Sequence, residues 1–193
     1  HSFFHPEQFG KKHSTLVATA RAGNVVGGGD WAADRLIPDI VKATAKKERV
    51  SIRNPHAVRP WQYVLEPLSG YLLLGQKLLE GKKEFADSWN FGPTAESFLA
   101  VQNVTEALKQ HWEEIDFHTD TTANNVHETI LLTLDSAKAR SNLWWKSVWD
   151  IRTTFKHTTH CYKPFYPTGD VLSSQDLDHY IVDALQMEAP WVG

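Results

Sequence analysis

The 193 residues are 41% hydrophobic and 22% charged, which fits one soluble domain or part of a larger one, with enough apolar material for a sizeable core. A net charge of −3 gives no electrostatic handle on nucleic acid or an anionic membrane, and the charges are interspersed instead of blocked. A lone cysteine, Cys161, rules out an intrachain disulfide and a Cys-rich zinc site, and no apolar run approaches ~20 residues, so a cytoplasmic, reducing setting is expected.

The chain opens on HSFFHPEQFGKKHS, without an initiator Met and with Phe3 and Phe4 placed like the end of a helix, so a fragment is expected. Residues 16–22 are short, apolar and β-capable, as in a strand covered on both faces. Asp30 or Asp34 is expected to cap a helix whose Leu36, Ile37, Ile40, Val41 and Thr44 share one face and whose end carries Lys46 and Lys47. A short strand is predicted at 50–53 and an extended piece at 62–65. Pro67 then starts a helix through Leu68, Tyr71, Leu72, Gly75, Leu78 and Leu79, stopped by Gly81. SWNF at 88–91 reads as a strand, and Val101, Val104, Leu108 and Trp112 mark a third helix. ILLTL at 130–134 is strand-like; Asp135 or Ser136 caps a short helix with Ala137 and Leu143. Asp150 caps a last amphipathic helix through Thr154, Phe155 and Tyr162. The pattern leaves the polar tail from about 165 poorly defined.

Strands alternate with helices in one unit without a linker, so the class is α/β. The run from Arg21 to Glu66 reads as a polar pocket on that scaffold. A strand delivers Arg21 and Asn24, glycines turn the chain and a helix follows; in open α/β sheets the carboxyl ends of the strands are where ligands bind. Arg59, Trp61 and Gln62 stand beside a second strand. An Arg to fork onto phosphate and amides to bond hydroxyls fit a phosphorylated ligand carrying a base or sugar. GGGD at 27–30 follows a strand but lacks the GxGxxG spacing of a dinucleotide fingerprint.

The segments RAGNVVGGGDWAADRLIPDIV and IRNPHAVRPWQYVLEPLSGYLLL, with SWNFGP and LDSAKA, closely resemble the C-terminal part of the CDP-glucose 4,6-dehydratases, a branch of the extended short-chain dehydrogenase/reductases. The match is dense from about 2 to 143, and the tryptophan and the Pro-His pair of this chain point to the CDP-glucose branch. The resemblance implies the last parallel strands of a Rossmann-like enzyme plus its substrate region, with the N-terminal dinucleotide-binding half absent. It implies a CDP-hexose substrate and NAD held mainly by the missing half. The 4-hydroxyl is oxidised by hydride transfer to NAD, water leaves across C5 and C6, and hydride returns to C6, giving a 4-keto-6-deoxy sugar for deoxysugar and polysaccharide biosynthesis. The family's glycine fingerprint, its YxxxK and its acid/base residues fall upstream of His1, so no catalytic residue is expected in this chain, which alone should be inactive. Full-length relatives are commonly dimers.

On the same resemblance Asn24 matches an asparagine near the diphosphate, against the plainer role of closing its own turn. Arg59 matches the diphosphate clamp, against an ion pair with Glu66. Arg35 with Leu36 opens a helix where a cation and amides can face phosphate or base, against a solvated surface position. Arg53 and Asn54 are expected at the nucleoside end, Asn90 as a further nucleotide contact, and His127 and Glu128 over the nucleotide. Trp61 is expected to pack under the arginine. His157, His160 and Cys161 in HTTHC lack preferred zinc spacings and are expected on a solvated helix face, so no metal is expected. Two rivals stay open: another nucleotide-sugar dehydratase or epimerase using the same pocket, and a non-catalytic remnant that binds a nucleotide sugar or a partner chain.

Overall fold

A computed structural model describes residues 3–119 and 130–192. In chain order it contains β1 (Thr19–Ala22), β2 (Asn24–Val26), α1 (Leu36–Ala45), β3 (Val50–Ile52), β4 (Val58–Tyr63), α2 (Leu65–Leu79), β5 (Ser88–Phe91), β6 (Phe98–Ala100), α3 (Val101–His111), β7 (Phe117–Thr119), α4 (Ala137–Asn142), α5 (Ile151–Thr168) and α6 (Ser173–Gln186). The α/β class is as expected. Pairing is mostly parallel: β1 with β5 from Thr19↔Ser88 to Ala22↔Phe91, β2 with β4 from Asn24↔Trp61 to Val26↔Tyr63, and β3 with β7. On its other edge β4 takes β6 antiparallel.

The apolar stripe of α1 is buried as predicted, through Ile37, Ile40, Val41 and Thr44. It joins Val26, Ile52, Trp61, Val104, Leu108, Phe155 and Tyr162 in a core between β2–β4 and the helices α1, α3 and α5. A second core sets Leu73 and Leu74 of α2 against Trp89 and Phe91 of β5, with Ala139, Leu143 and Trp145. There α2 and β5 touch so closely that a side chain on Gly70 would collide with the Phe91 ring.

Several expectations are corrected. Within 16–22 only Thr19–Ala22 is a strand, and Thr19, Ala20 and Arg21 are exposed, because among the described residues β1 pairs with β5 alone. Neither Asp30 nor Asp34 caps α1. Arg35 holds the N-cap position without a side-chain bond, Asp30 Oδ1 accepts from the Ala32 N–H, and Asp34 adopts φ 58° and pairs with Arg53. The extended piece expected at 62–65 is the longer β4, and α2 starts at Leu65. Pro67 falls at its third position, where an N–H would have no intrahelical acceptor anyway.

The strand expected at 130–134 is reduced to one bridge, Leu131 to Val58, since β4 begins at Val58 and leaves no further edge there. Ser136 occupies the N-cap position of α4, yet it is Asp135 that accepts the Ala137 N–H, while the Ser136 hydroxyl donates to the Gly92 carbonyl. Asp150 caps α5 as predicted, its Oδ1 accepting from Thr153 N–H at 2.7 Å. The tail, undefined by its polarity, forms α6 and buries Asp176, Tyr180 and Ala184. Among the described residues no helix is long and apolar enough to cross a membrane.

Candidate functional site

The carboxyl end of β2, the 27–35 turn and the start of α1 enclose a cavity of about 620 Å³ with β4 on its other side. That size suits a small-molecule ligand. Asn24, Arg35, Leu36 and Arg59 all line it, together with Asp30, Asp34 and Tyr162. Four of the residues singled out in the sequence thus meet although 35 positions separate Asn24 from Arg59, because β2 and β4 are hydrogen-bonded neighbours in parallel register.

Arg59 is 8% exposed and donates from Nη1 to the Val58 carbonyl at 2.9 Å. It does not pair with Glu66 in the way the alternative supposed: Glu66 accepts from the Val148 and Trp149 N–H groups and from the Tyr180 hydroxyl. Trp61 lies in the core, its indole N–H on the Leu99 carbonyl, and forms one wall. Arg35 is exposed at the mouth of α1, where unpaired helix N–H groups add positive potential.

The turn is fixed from behind by α5. The Tyr162 hydroxyl accepts from the Asp30 N–H at 3.0 Å and donates to the Asp30 carbonyl at 2.9 Å, clamping both sides of one residue. Burial pushes this phenol up to about 12, so it stays protonated and able to donate. Trp31 packs on Phe165 at 4.7 Å and edge-on to Tyr162. Gly28 is needed for this approach, since a Cβ there would sit 2.5 Å from Cys161 Cβ, and Gly29 takes φ 86°. The glycines are therefore committed to turning and packing, and the turn forms no dinucleotide cradle.

Among the described residues, Arg53, Asn54 and Asn90 do not line the cavity. Arg53 reaches it only through its 3.2 Å contact to Asp34, an exposed pair worth little by itself. Asn90 lies on β5, donating to the Asp135 carbonyl and accepting from Arg21, because β5 pairs with β1 and not with β2. His127 and Glu128 lie outside the described residues. Asp30, Asp34 and Tyr162 escaped the sequence reading as lining residues; the helical spacing of Tyr162 from Phe155 signalled only a buried face. Of the three residues expected on a solvated face only His160 is exposed: His157 is half-buried against Asp176 of α6, and Cys161 is buried.

Comparison with known proteins adds the following. The chain is 38% identical over 182 residues, 93% of its length, to the CDP-glucose 4,6-dehydratase of Salmonella typhimurium, and spans 50% of that protein. No family model matches. Its fold is similar to that of UDP-glucuronic acid 4-epimerase from Bacillus cereus, solved with UDP-glucuronic acid and NAD, with a TM-score of 0.65 at 16% identity over 82% of this chain and 48% of the other. It is also similar to UDP-glucose 4-epimerase from Thermotoga maritima, solved with UDP-glucose, with a TM-score of 0.60 at 18% identity over 81% and 49%. The resemblance to the CDP-glucose 4,6-dehydratases and the extended dehydrogenase/reductase fold are borne out, and the chain spans about half the length of the relatives it matches.

Proposed function

We propose, for a chain related in sequence to half of a CDP-glucose 4,6-dehydratase, that it is the nucleotide-sugar-binding portion of such an enzyme. The observation that carries this is the meeting of Asn24, Arg35 and Arg59 around one cavity at the carboxyl ends of β2 and β4, the strand ends at which α/β sheets bind ligands. Arg59 takes the diphosphate as a fork of donors held in place by burial, Asn24 bonds the same region, and Arg35 with the start of α1 adds positive charge. On the resemblance Arg53, through Asp34, is assigned to the nucleoside end and His127 and Glu128 to the nucleotide, while Asn54 and Asn90, which do not line the cavity, are left out of the proposed contacts. NAD is the hydride acceptor of the reaction, and the 27–30 turn, committed to α5, does not fit it. On this proposal the cofactor and the catalytic groups belong to the other half of a cytoplasmic, homodimeric enzyme serving deoxysugar and polysaccharide synthesis.

The test is to incubate the full-length protein with NAD and either CDP-glucose or UDP-glucose, and to follow the sugar by NMR. A 4-keto-6-deoxy product from CDP-glucose is expected. Turnover of another nucleotide sugar with none of CDP-glucose removes the branch assignment, and a C4 epimer as product replaces the dehydratase by an epimerase.

A further inference from the structure

The tail helix gathers side chains that the sequence keeps apart. Asp176 and His179 stand three residues apart on α6 and so share a face, while His157 comes from α5. One ligand atom from each of the three lies within 4.8 Å of the other two. Two of the three are already held. Asp176 is 1% exposed; its Oδ1 is 2.6 Å from His157 Nδ1, and its Oδ2 accepts from the Tyr63 hydroxyl at 2.6 Å and the Cys161 thiol at 2.7 Å. The His157 ring is stacked on Trp149 at 4.0 Å and 19°. His179, the third, is exposed.

Outer donors that fix a carboxylate and an aromatic wall that fixes an imidazole are the arrangement by which proteins orient metal ligands. Two nitrogens and one oxygen with an open side suit a borderline divalent cation and not magnesium or calcium, which favour all-oxygen shells. We propose that His157, Asp176 and His179 form a binding site for a zinc-class divalent cation, with water as the fourth ligand, that staples α5 to α6. Tetrahedral bonds of about 2.0–2.2 Å set donors roughly 3.3 Å apart, inside the observed spread. The ion takes the place of the proton between His157 Nδ1 and Asp176 Oδ1, and the neutral imidazole carries its proton on Nε2 instead. Cys161 remains an outer donor to Asp176. This site is separate from the sugar-nucleotide cavity and does not rest on the function proposed for it.

The tag-free full-length protein, stripped with a chelator, is titrated with Zn²⁺ by calorimetry and with Co²⁺ by visible absorption. One ion per chain is expected, with tetrahedral cobalt bands and a Zn²⁺-dependent rise in melting temperature. His179→Ala, an exposed change whose metal-free melt should match the wild type, is expected to weaken Zn²⁺ binding more than about tenfold and to remove the cobalt bands. His160→Ala, one turn further along α5, is expected to leave both unchanged. Absence of saturable Zn²⁺ binding overturns the proposal, as does a His179→Ala variant that binds Zn²⁺ like the wild type.

Discussion

Two regions of this protein are rich in charge, and they treat it in opposite ways. In the cavity beside β2 and α1, Asp30, Asp34 and Arg35 are exposed, with Asp34 paired to Arg53 and Arg35 at the rim. Beneath α6, Glu66 and Asp176 are 0% and 1% exposed, and each is saturated by donors. Glu66 ties two backbone N–H groups of the 148–149 turn and Tyr180 to the first turn of α2; Asp176 ties Tyr63, His157 and Cys161 across α5. Buried charge is tolerable only when every lone pair is answered, and removing one partner then costs the desolvation of all the others. Charge at a cavity mouth carries no such obligation and is available to a ligand. The lower region should therefore respond to mutation in stability, and the upper one in binding.

The largest effect is expected from Glu66→Ala, which strands two N–H groups and a hydroxyl in the interior. Each unsatisfied group costs about 1–3 kcal/mol, so a loss of about 3–5 kcal/mol in urea denaturation is expected. A loss below about 1 kcal/mol would show that the buried cluster is not what holds α2 to α6. Next comes pH. Burial raises the Glu66 carboxyl to about 7 despite the Trp149 and Val148 N–H groups, which pull the other way. The folded state then binds this proton more tightly than the unfolded chain, whose carboxyl titrates near 4.5. The stabilising contribution is therefore full below about 4.5 and is lost as pH rises to about 7, by about 3 kcal/mol. Denaturation midpoints at pH 5 and pH 8 should show this slope in the wild type and not in Glu66→Gln. Equal slopes would assign the pH dependence to another group.

Much of the scaffold could be read locally and little of the site could. The α1 stripe, the Gly81 stop, SWNF and the Asp150 cap depend on residues within a turn or two, and each was legible. The 130–134 strand failed because strand formation depends on a free edge, and β4 offers only Val58 there. The tail failed because α6 is held by a few buried residues, Asp176, Tyr180 and Ala184, beneath an exposed remainder. The site depends on which strands are neighbours. Pairing of β2 with β4 joins Asn24 to Arg59, while pairing of β5 with β1 carries Asn90 elsewhere. Spacing along the chain holds neither fact.

Where the two regions touch, the contrast can be probed directly. Gly28 lines the cavity and lies against Cys161, whose thiol bonds Asp176. Gly28→Ala places its Cβ at 2.5 Å from Cys161 Cβ, so α5 or the turn must shift. A stability loss of about 1–3 kcal/mol is expected, together with weaker ligand binding. A loss in only one of the two would show that the cavity and the buried cluster are mechanically independent.

The smallest expected effect separates the regions most cleanly. Arg35 is exposed, makes no cap bond and lines the cavity at the start of α1. Replacing it by Gln removes a charge without emptying any core space, so stability should stay within about 0.5 kcal/mol. A diphosphate in the cavity would lose one charge-assisted contact, and CDP-glucose affinity, measured by calorimetry on the full-length protein, should fall about tenfold. Because the group is exposed, the difference between wild type and variant should shrink in high salt. Unchanged affinity would move the diphosphate away from α1 and leave it to Asn24 and Arg59, whereas a marked drop in melting temperature would mean that Arg35 serves the fold, as the residues under α6 do.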